Sequence, residues 1–283
     1  MVWIDPDQVA GRRPAVWLAM NMNWSIQPAA GPTFPGPPVP GPPVVGVGYG
    51  HGFHTEIEFK FLASPAVLGQ IHDSLLIRSL ARGASRHQTL VSTYYDTPGL
   101  WFASHGLSLR VRWDGERWVQ GLKARIEKQD GFFHRREWEQ QIPSSQPVAA
   151  RIFGAPEGVV ISPEVIAAIE PLFETRFGRV AIEIDAPNRH ARGGEAARIA
   201  MALDVGAIIA GGRSEAISEV ELELVSGSVE ALAEIAFHLR DAFDLRPGHL
   251  SKGKRGYRLA GLPIIRQSDH AQDPGVFSLR RLN

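Results

Sequence analysis

The chain has 283 residues, 44% of them hydrophobic and 21% charged, and its 30 Lys and Arg match its 30 Asp and Glu, so the formal net charge is zero. That length suits one large domain or two small ones, and the even balance excludes a broad basic surface for duplex nucleic acid, leaving any anion selectivity to a local cluster. With no cysteine there is no disulfide framework, thiolate metal site or catalytic thiol, and no run reaches the roughly 18 apolar residues of a membrane span; a cytoplasmic enzyme is the default expectation.

The first 53 residues read as a disordered extension, because residues 28–50 hold eight prolines and six glycines, a composition that cannot build a core. Trp3, Trp17 and Trp24 precede that stretch and would be the docking residues if it met a partner; Met20 and Met22 are alternative starts if it is upstream translated sequence. A secretory signal over Ala15 to Met22 is a weak reading, since Asn21 and Asn23 interrupt the apolar run. From residue 54 to about 260 the texture is that of one domain, followed by a tail at 261–283. Strands are expected at 54–62, 90–95, 107–113, 117–125, 132–141, 176–186, 197–205 and 216–225, bounded by turn residues such as Asp114-Gly115 and Gly211-Gly212. Ser64-Pro65 and Ser162-Pro163 are helix starts, a capping hydroxyl followed by proline in the first turn, and Ser228 opens a third helix with Leu232, Ile235, Leu239 and Phe243 on one side.

Alternation within the strands carries the chemistry. Glu56-Ile-Glu-Phe-Lys60 and Glu219-Val-Glu-Leu-Glu223 place acids on one face and apolar residues on the other, and Leu107-Ser-Leu-Arg-Val-Arg112 does the same with arginines. A plain sandwich would turn the charges to solvent one strand at a time. The helices, however, need an apolar surface to cover, and both demands are met by an eight-stranded antiparallel β-barrel with a charged, hydrated interior and helices packed outside, an α+β architecture. Carboxylates crowded in such a bore need a counterion, since two unit charges about 4 Å apart repel by roughly 4 kcal/mol at an effective dielectric near 20. Oxygen ligands without cysteine favour Mg²⁺ or Mn²⁺ over zinc. Lys60, Arg110, Arg112, Lys123, Arg135, Arg179 and Lys252 would grip the phosphates of a polyanion. A carboxylate among Glu56, Glu58, Glu219 and Glu221 would position the attacking water. His87, His105 and His134 read as surface or turn residues, and the basic run Ser251 to Gly256 as either a solvated turn or a phosphate contact. No Gly-rich phosphate loop with Lys-Ser/Thr and no Gly-X-Ser-X-Gly occurs.

Taken in order, Glu56-Ile-Glu-Phe-Lys60, Tyr94-Tyr-Asp-Thr-Pro98, Leu107 to Arg112, Trp118-Val-Gln-Gly-Leu-Lys123, Arg135-Arg-Glu-Trp-Glu139, Leu203-Asp204, Glu219 to Glu223 and Ser251 to Tyr257 resemble the CYTH superfamily, the triphosphate tunnel metalloenzymes, over about residues 54–260. The bacterial inorganic triphosphatases are the branch most similar, without the helical CHAD domain that often follows. The resemblance implies a tunnel barrel, a Mg²⁺ or Mn²⁺ cofactor and hydrolysis of a small-molecule triphosphate, with no nucleic-acid or membrane partner and an open oligomeric state. It implies metal ligation by Glu56, Glu58, Glu219 and Glu221, further acidic lining from Glu137, Glu139 and Asp204, and catalytic roles for Glu56, Glu58 and Lys60. Phosphate contacts would come from Lys60, Arg110, Arg112, Lys123, Arg135, Arg179 and Lys252, with Arg176 the alternative to Arg179. Two departures stand out: a Gly-rich insertion at Ala191-Arg-Gly-Gly194 with no nearby tryptophan, and Ala200 where the family often has an acid. Thiamine triphosphatase, nucleoside triphosphatase or adenylyl cyclase activity, or a non-catalytic polyphosphate-binding module, are the alternatives.

Overall fold

A computed structural model describes residues 54–125, 135–152, 160–187 and 196–262. The N-terminal extension, His134, the insertion at 191–194 and all but two residues of the tail lie outside them, and for Glu56 and Arg135 only the backbone is described. Ten strand segments make one antiparallel sheet: β1 (His54–Glu56), β2 (Glu58–Leu62), β3 (Arg86–Asp96), β4 (Leu107–Trp113), β5 (Trp118–Arg125), β6 (Arg135–Ile142), β7 (Glu170–Ala186), β8 (Ala197–Ala210), β9 (Arg213–Ser226) and β10 (Arg246–Pro247). Their spatial order is β1-β6-β5-β4-β3-β7-β8-β9-β2-β10.

Among the described residues no backbone ladder joins the two ends of that sheet. β1 and β2 are nevertheless one stretch of chain interrupted at Ile57: its first half pairs with β6, its second with β9, and Leu224 N donates to the Ile57 carbonyl at 3.0 Å. Chain continuity thus completes the ring that hydrogen bonds leave open. With β1 and β2 counted as one segment and the two-residue β10 set aside, the strands number the expected eight.

Six α-helices occur among the described residues: α1 (Pro65–Asp73), α2 (Leu75–Leu80), α3 (Trp101–Ser104), α4 (Pro163–Ala167), α5 (Val229–Phe243) and α6 (Lys252–Leu259). Both Ser-Pro starts are real, since Ser64 and Ser162 accept from Val67 N and Val165 N, satisfying donors that a helix start leaves without partners. α1, α2 and α5 bury Leu68, Ile71, Ile77, Leu232 and Leu239 on the outer apolar faces of β7, β8 and β9. Leu107, Leu109 and Val111 of β4 meet Phe102 and Ile142 in a second outer cluster.

Two expectations need correction. β7 begins at Glu170, not 176, because Pro171 sits at a register shift opposite Tyr95, where a strand tolerates a residue with no N–H. The interior is also not hydrated throughout: Leu90, Tyr94, Phe173, Phe177, Ile208 and Ile217 form a buried cluster with Tyr257 of α6, so one helix lies inside the ring and fills one end with apolar packing. Gly256 permits this approach, since a Cβ there would fall 2.0 Å from the Phe173 ring.

Candidate active site

Opposed residues in an antiparallel ladder share a face, so the register builds the inner wall. Arg110 stands opposite Tyr94 and Gly121, Arg112 opposite Ser92, Lys123 opposite Glu137, and Gly121 opposite Glu139. On the other side Arg179 faces Asp204, Asp204 faces Glu219, Lys60 faces Glu221 and Glu58 faces Glu223. Residues from both halves of the chain therefore line one interior, and Lys252 and Arg255 join them from α6.

The acidic centre is compact. Asp204, Glu219 and Glu221 each bring an oxygen within 4.8 Å of the others, and Asp204 and Glu219 are fully buried. Lys252 Nζ lies among them, 2.5 Å from Glu219, 2.7 Å from Asp204 and 3.1 Å from Glu221. Lys60 Nζ contacts Glu221 at 2.8 Å and Glu219 at 3.4 Å. Arg179 donates to both Asp204 oxygens at 2.7 Å and to Glu221 at 2.8 Å. Arg255 adds bonds to Glu215 at 2.7 Å, to Glu219 at 3.2 Å and to the Ala216 carbonyl. Burial alone would raise the Glu221 carboxyl, but Lys252, Lys60 and Arg179 hold it well below the usual carboxylate range. Burial works against the Lys252 ammonium too, and Glu221, Asp204 and Glu219 overcome it and hold its pKa above the usual lysine value.

The basic wall is less evenly matched. Arg110 donates to Glu137 at 2.9 Å and to Glu139 at 2.7 Å, and Lys123 lies 2.8 Å from Glu137. Gly121 leaves room for this crossing, since a Cβ there would meet Arg110 Nε at 3.3 Å. Against its burial, Arg110 and Arg112 bring the Glu139 pKa down to about 2. Arg112 has only the Ser92 hydroxyl, 3.2 Å from its Nε, and no carboxylate partner among the described residues. Burial and the nearby charges of Arg110 and Arg179 push its pKa down to about 10. An arginine so placed is a ready contact for an anion.

On the acidic side the interior opens into a cavity of about 200 Å³, lined by Glu58, Arg179, Glu221 and Glu223 and reaching Arg86 and Arg198. The structure thus brings together Glu58, Lys60, Arg110, Arg112, Lys123, Glu137, Glu139, Arg179, Asp204, Glu219, Glu221 and Lys252. It separates Arg176, which pairs with Glu174 on the exposed face, from Arg179. Asp204, expected as further acidic lining, is a member of the tight carboxylate triad, whereas Glu58 lies outside it. The side chains of Glu56 and Arg135 are outside the described part, although the ladder sets these two residues opposite each other. Arg255 and Tyr94 went unassigned in the sequence. The signal for Arg255 was its spacing three residues after Lys252 on one helix face, and for Tyr94 its period-two spacing from Ser92.

A chelated cation fits this donor set. The triad is all oxygen, as hard divalent ions prefer, and a cationic ammonium already touches all three carboxylates.

Comparison with known proteins adds the family. The CYTH domain family model matches residues 54–257. The inorganic triphosphatase of Haemophilus influenzae is 29% identical over 214 residues, covering 74% of this chain and 56% of that protein; the chain spans about half the length of this curated relative. Solved structures that resemble it include a Hippeastrum protein described as having a dominant triphosphatase activity, at 16% identity and a TM-score of 0.48 over 74% of this chain and 98% of that one. Another is a Pyrococcus horikoshii protein at 15% identity and a TM-score of 0.40, over 69% and 94% of the two chains.

Proposed function

Because the chain belongs to the CYTH domain family, we propose that it is a metal-dependent hydrolase that cleaves inorganic tripolyphosphate, with water, to pyrophosphate and orthophosphate. The observation that carries this reading is Arg112: an inward arginine with no acidic partner among the described residues, beside Arg110 and Lys123 and across the interior from a carboxylate triad. Such a wall is built for an anion with several charged oxygens, because each phosphate can take a forked guanidinium while the acids opposite keep the site from simply filling with counter-anions.

Residues 54–260 form the unit that does this in our reading. Asp204, Glu219 and Glu221, with Glu58 and Glu56 beside them, would hold Mg²⁺ or Mn²⁺. When bound, the ion would neutralise phosphoryl oxygens and make the phosphorus a better electrophile. The chain's own cations do the rest of the positioning: Arg110, Arg112, Lys123 and Arg135 hold one side of the triphosphate, and Lys60, Arg179 and Lys252 reach its other side. Glu221 and Glu139, held far below the ordinary range, are poor proton acceptors and serve as ligand and anchor. Glu58, on the cavity wall next to Lys60, is the carboxylate we assign to orient the attacking water. The inorganic substrate is favoured over thiamine or nucleoside triphosphates because the described residues lining the cavity include no aromatic ring on which a base or thiazole could stack. No helix among the described residues is long and apolar enough to cross a membrane, and we place the reaction in the cytoplasm.

The test is steady-state orthophosphate release from tripolyphosphate, thiamine triphosphate and ATP with Mg²⁺ or Mn²⁺. Tripolyphosphate should give the highest kcat/KM. Cyclic AMP as the main product from ATP would overturn the hydrolase reading, and tight tripolyphosphate binding without turnover would make the protein a polyphosphate-binding module.

A further inference from the structure

The inner face of β8 changes character along its length. Its inward positions run from Ile208, in the apolar packing around Tyr257 of α6, through Asp204 of the carboxylate triad, to Ala202, Ala200 and Arg198. The neighbouring ladders keep the same order, with Ala181 opposite Ala202 and with Glu183 and Glu223 on either side of Ala200. The cavity of about 200 Å³ lies on the alanine side of the triad, away from the apolar filling, and its rim carries Arg82, Arg86 and Arg198. The contacts of these three arginines are long and half exposed: Arg82 to Asp185 at 3.4 Å, Arg86 to Glu183 at 3.3 Å and Arg198 to Glu183 at 3.5 Å. Deeper in, Arg179 holds Asp204 with two bonds of 2.7 Å.

Exposed ion pairs of this kind contribute little, so the rim guanidiniums are free to turn to an anion that offers each of them several oxygens. Four arginines and four glutamates line the cavity, and an acid at position 200 would tip that balance to net negative. Ala200 instead leaves the floor between the triad and the rim neutral and open. From Asp204 to Arg198 the strand advances about 20 Å, at roughly 3.3 Å per residue, much farther than three phosphorus atoms joined by two bridging oxygens extend. We propose that this cavity holds the trailing part of a linear polyphosphate longer than tripolyphosphate, its following phosphates passing over Ala202 and Ala200 to Arg86, Arg198 and Arg82. This deepens the triphosphate reading and rests on it. Because α6 and its aromatic packing fill the far side of the triad, the polyphosphate enters by one end and is shortened from that end. The oxygen of water bonds the terminal phosphorus, the bridging P–O bond breaks with its electron pair on the shortened chain, and the protons of water end on the phosphate products or in solvent.

The experiment measures orthophosphate release from tripolyphosphate and from a size-fractionated medium-chain polyphosphate, per chain end and at fixed ionic strength with Mg²⁺ or Mn²⁺. It compares wild type, Ala200→Glu and the double variant Arg86→Gln with Arg198→Gln, and resolves the products on a gel. The quantity read is the ratio of the two kcat/KM values, which does not depend on the fraction of enzyme that is folded and so separates a rim contact from a structural role. In the wild type the longer polyphosphate should be favoured about tenfold, the size that a few exposed charged contacts supply together, and both variants should abolish that preference. The products should be orthophosphate and a ladder of polyphosphates, each shorter than the last by a single phosphate. No length preference in the wild type, a preference that survives either variant, or internal fragments in place of the ladder would overturn the inference and leave tripolyphosphate hydrolysis standing. A wild type that releases orthophosphate from neither substrate would overturn both.

Discussion

Two arginines two residues apart on β4 illustrate how partners, more than position, decide what a buried charge does. Arg110 is shared between Glu137 and Glu139, so it belongs to a paired network. Replacing it by glutamine takes the guanidinium from the partly exposed Glu139 and from Glu137, which keeps Lys123, so the loss is smaller than the about 3–5 kcal/mol of a fully buried broken pair. Arg112 has a hydroxyl alone and is repelled by Arg110 and Arg179. Arg112→Gln should therefore leave the melting temperature unchanged or raise it, while Arg110→Gln lowers it by several degrees, as thermal unfolding would register. Equal destabilisation by both would mean that Arg112 is structural after all. Lys252 invites a parallel measurement, because its ammonium stands at the centre of the carboxylate triad and so competes with a divalent ion for the same oxygens. Lys252→Met should bind Mn²⁺ more tightly than wild type in a spin-resonance titration without substrate; weaker or unchanged binding would show that the triad is not where the ion goes. For the two arginines, inwardness was legible from strand alternation taken together with the apolar helix faces that need covering; Lys252, in a basic run, could be read as either a solvated turn or a phosphate contact. The pairing of each arginine was not legible, since it depends on registers between strands far apart in sequence.

At the scale of elements, α6 decides the form of the site. Tyr257 donates to Asp96 at 2.8 Å, and Asp96 also accepts from Thr97 N, Phe102 N and Ala103 N. One buried carboxylate thus ties α6 to the corner between β3 and α3. Burial, then the Asp96 charge, then this hydrogen bond hold the Tyr257 phenol well above the ordinary value, so it is a donor at neutral pH. Gly256→Ala would drive a methyl into the Phe173 ring, a rigid neighbour that cannot give way cheaply. We expect hydrogen exchange of residues 252–259 to speed up in that variant and tripolyphosphate affinity to fall with it, because Lys252 loses its support. Unchanged exchange would show that α6 is not held by this contact. The sequence announced helices whose caps and apolar stripes are conventional, at Ser64, Ser162 and Ser228. It did not announce α6, where Lys252-Gly-Lys-Arg-Gly256 has two glycines and no apolar stripe, nor the first part of β7, where Pro171 reads as a stop.

The described strands form a ring whose stability is linked to its charged interior, and this sets its response to pH. Glu221 and Glu139 are held below the unfolded-chain value of 4.5. Their contribution is complete above that value and disappears as pH falls through the folded values. Lys60 and Lys252 are held above the unfolded-chain value of 10.5, so theirs is complete below it and is lost as pH rises through the folded values. The melting temperature should accordingly be nearly flat between these limits and drop on both sides; a steep change across neutral pH would contradict the assigned pairs. The eight-strand count and most strand limits were legible because each follows from local alternation, and the outward apolar faces because the amphipathic helices need a surface to cover. Closure through Ile57 and the filling of one end by α6 were not, being properties of how distant segments meet. What the account most depends on is that this interior grips a triphosphate, and the direct measurement is the affinity of tripolyphosphate for wild type and for Arg112→Gln at matched ionic strength. Binding that falls at least tenfold in the variant, with its fold intact, is the predicted result. Equal binding by the two, or none by the wild type, would contradict it.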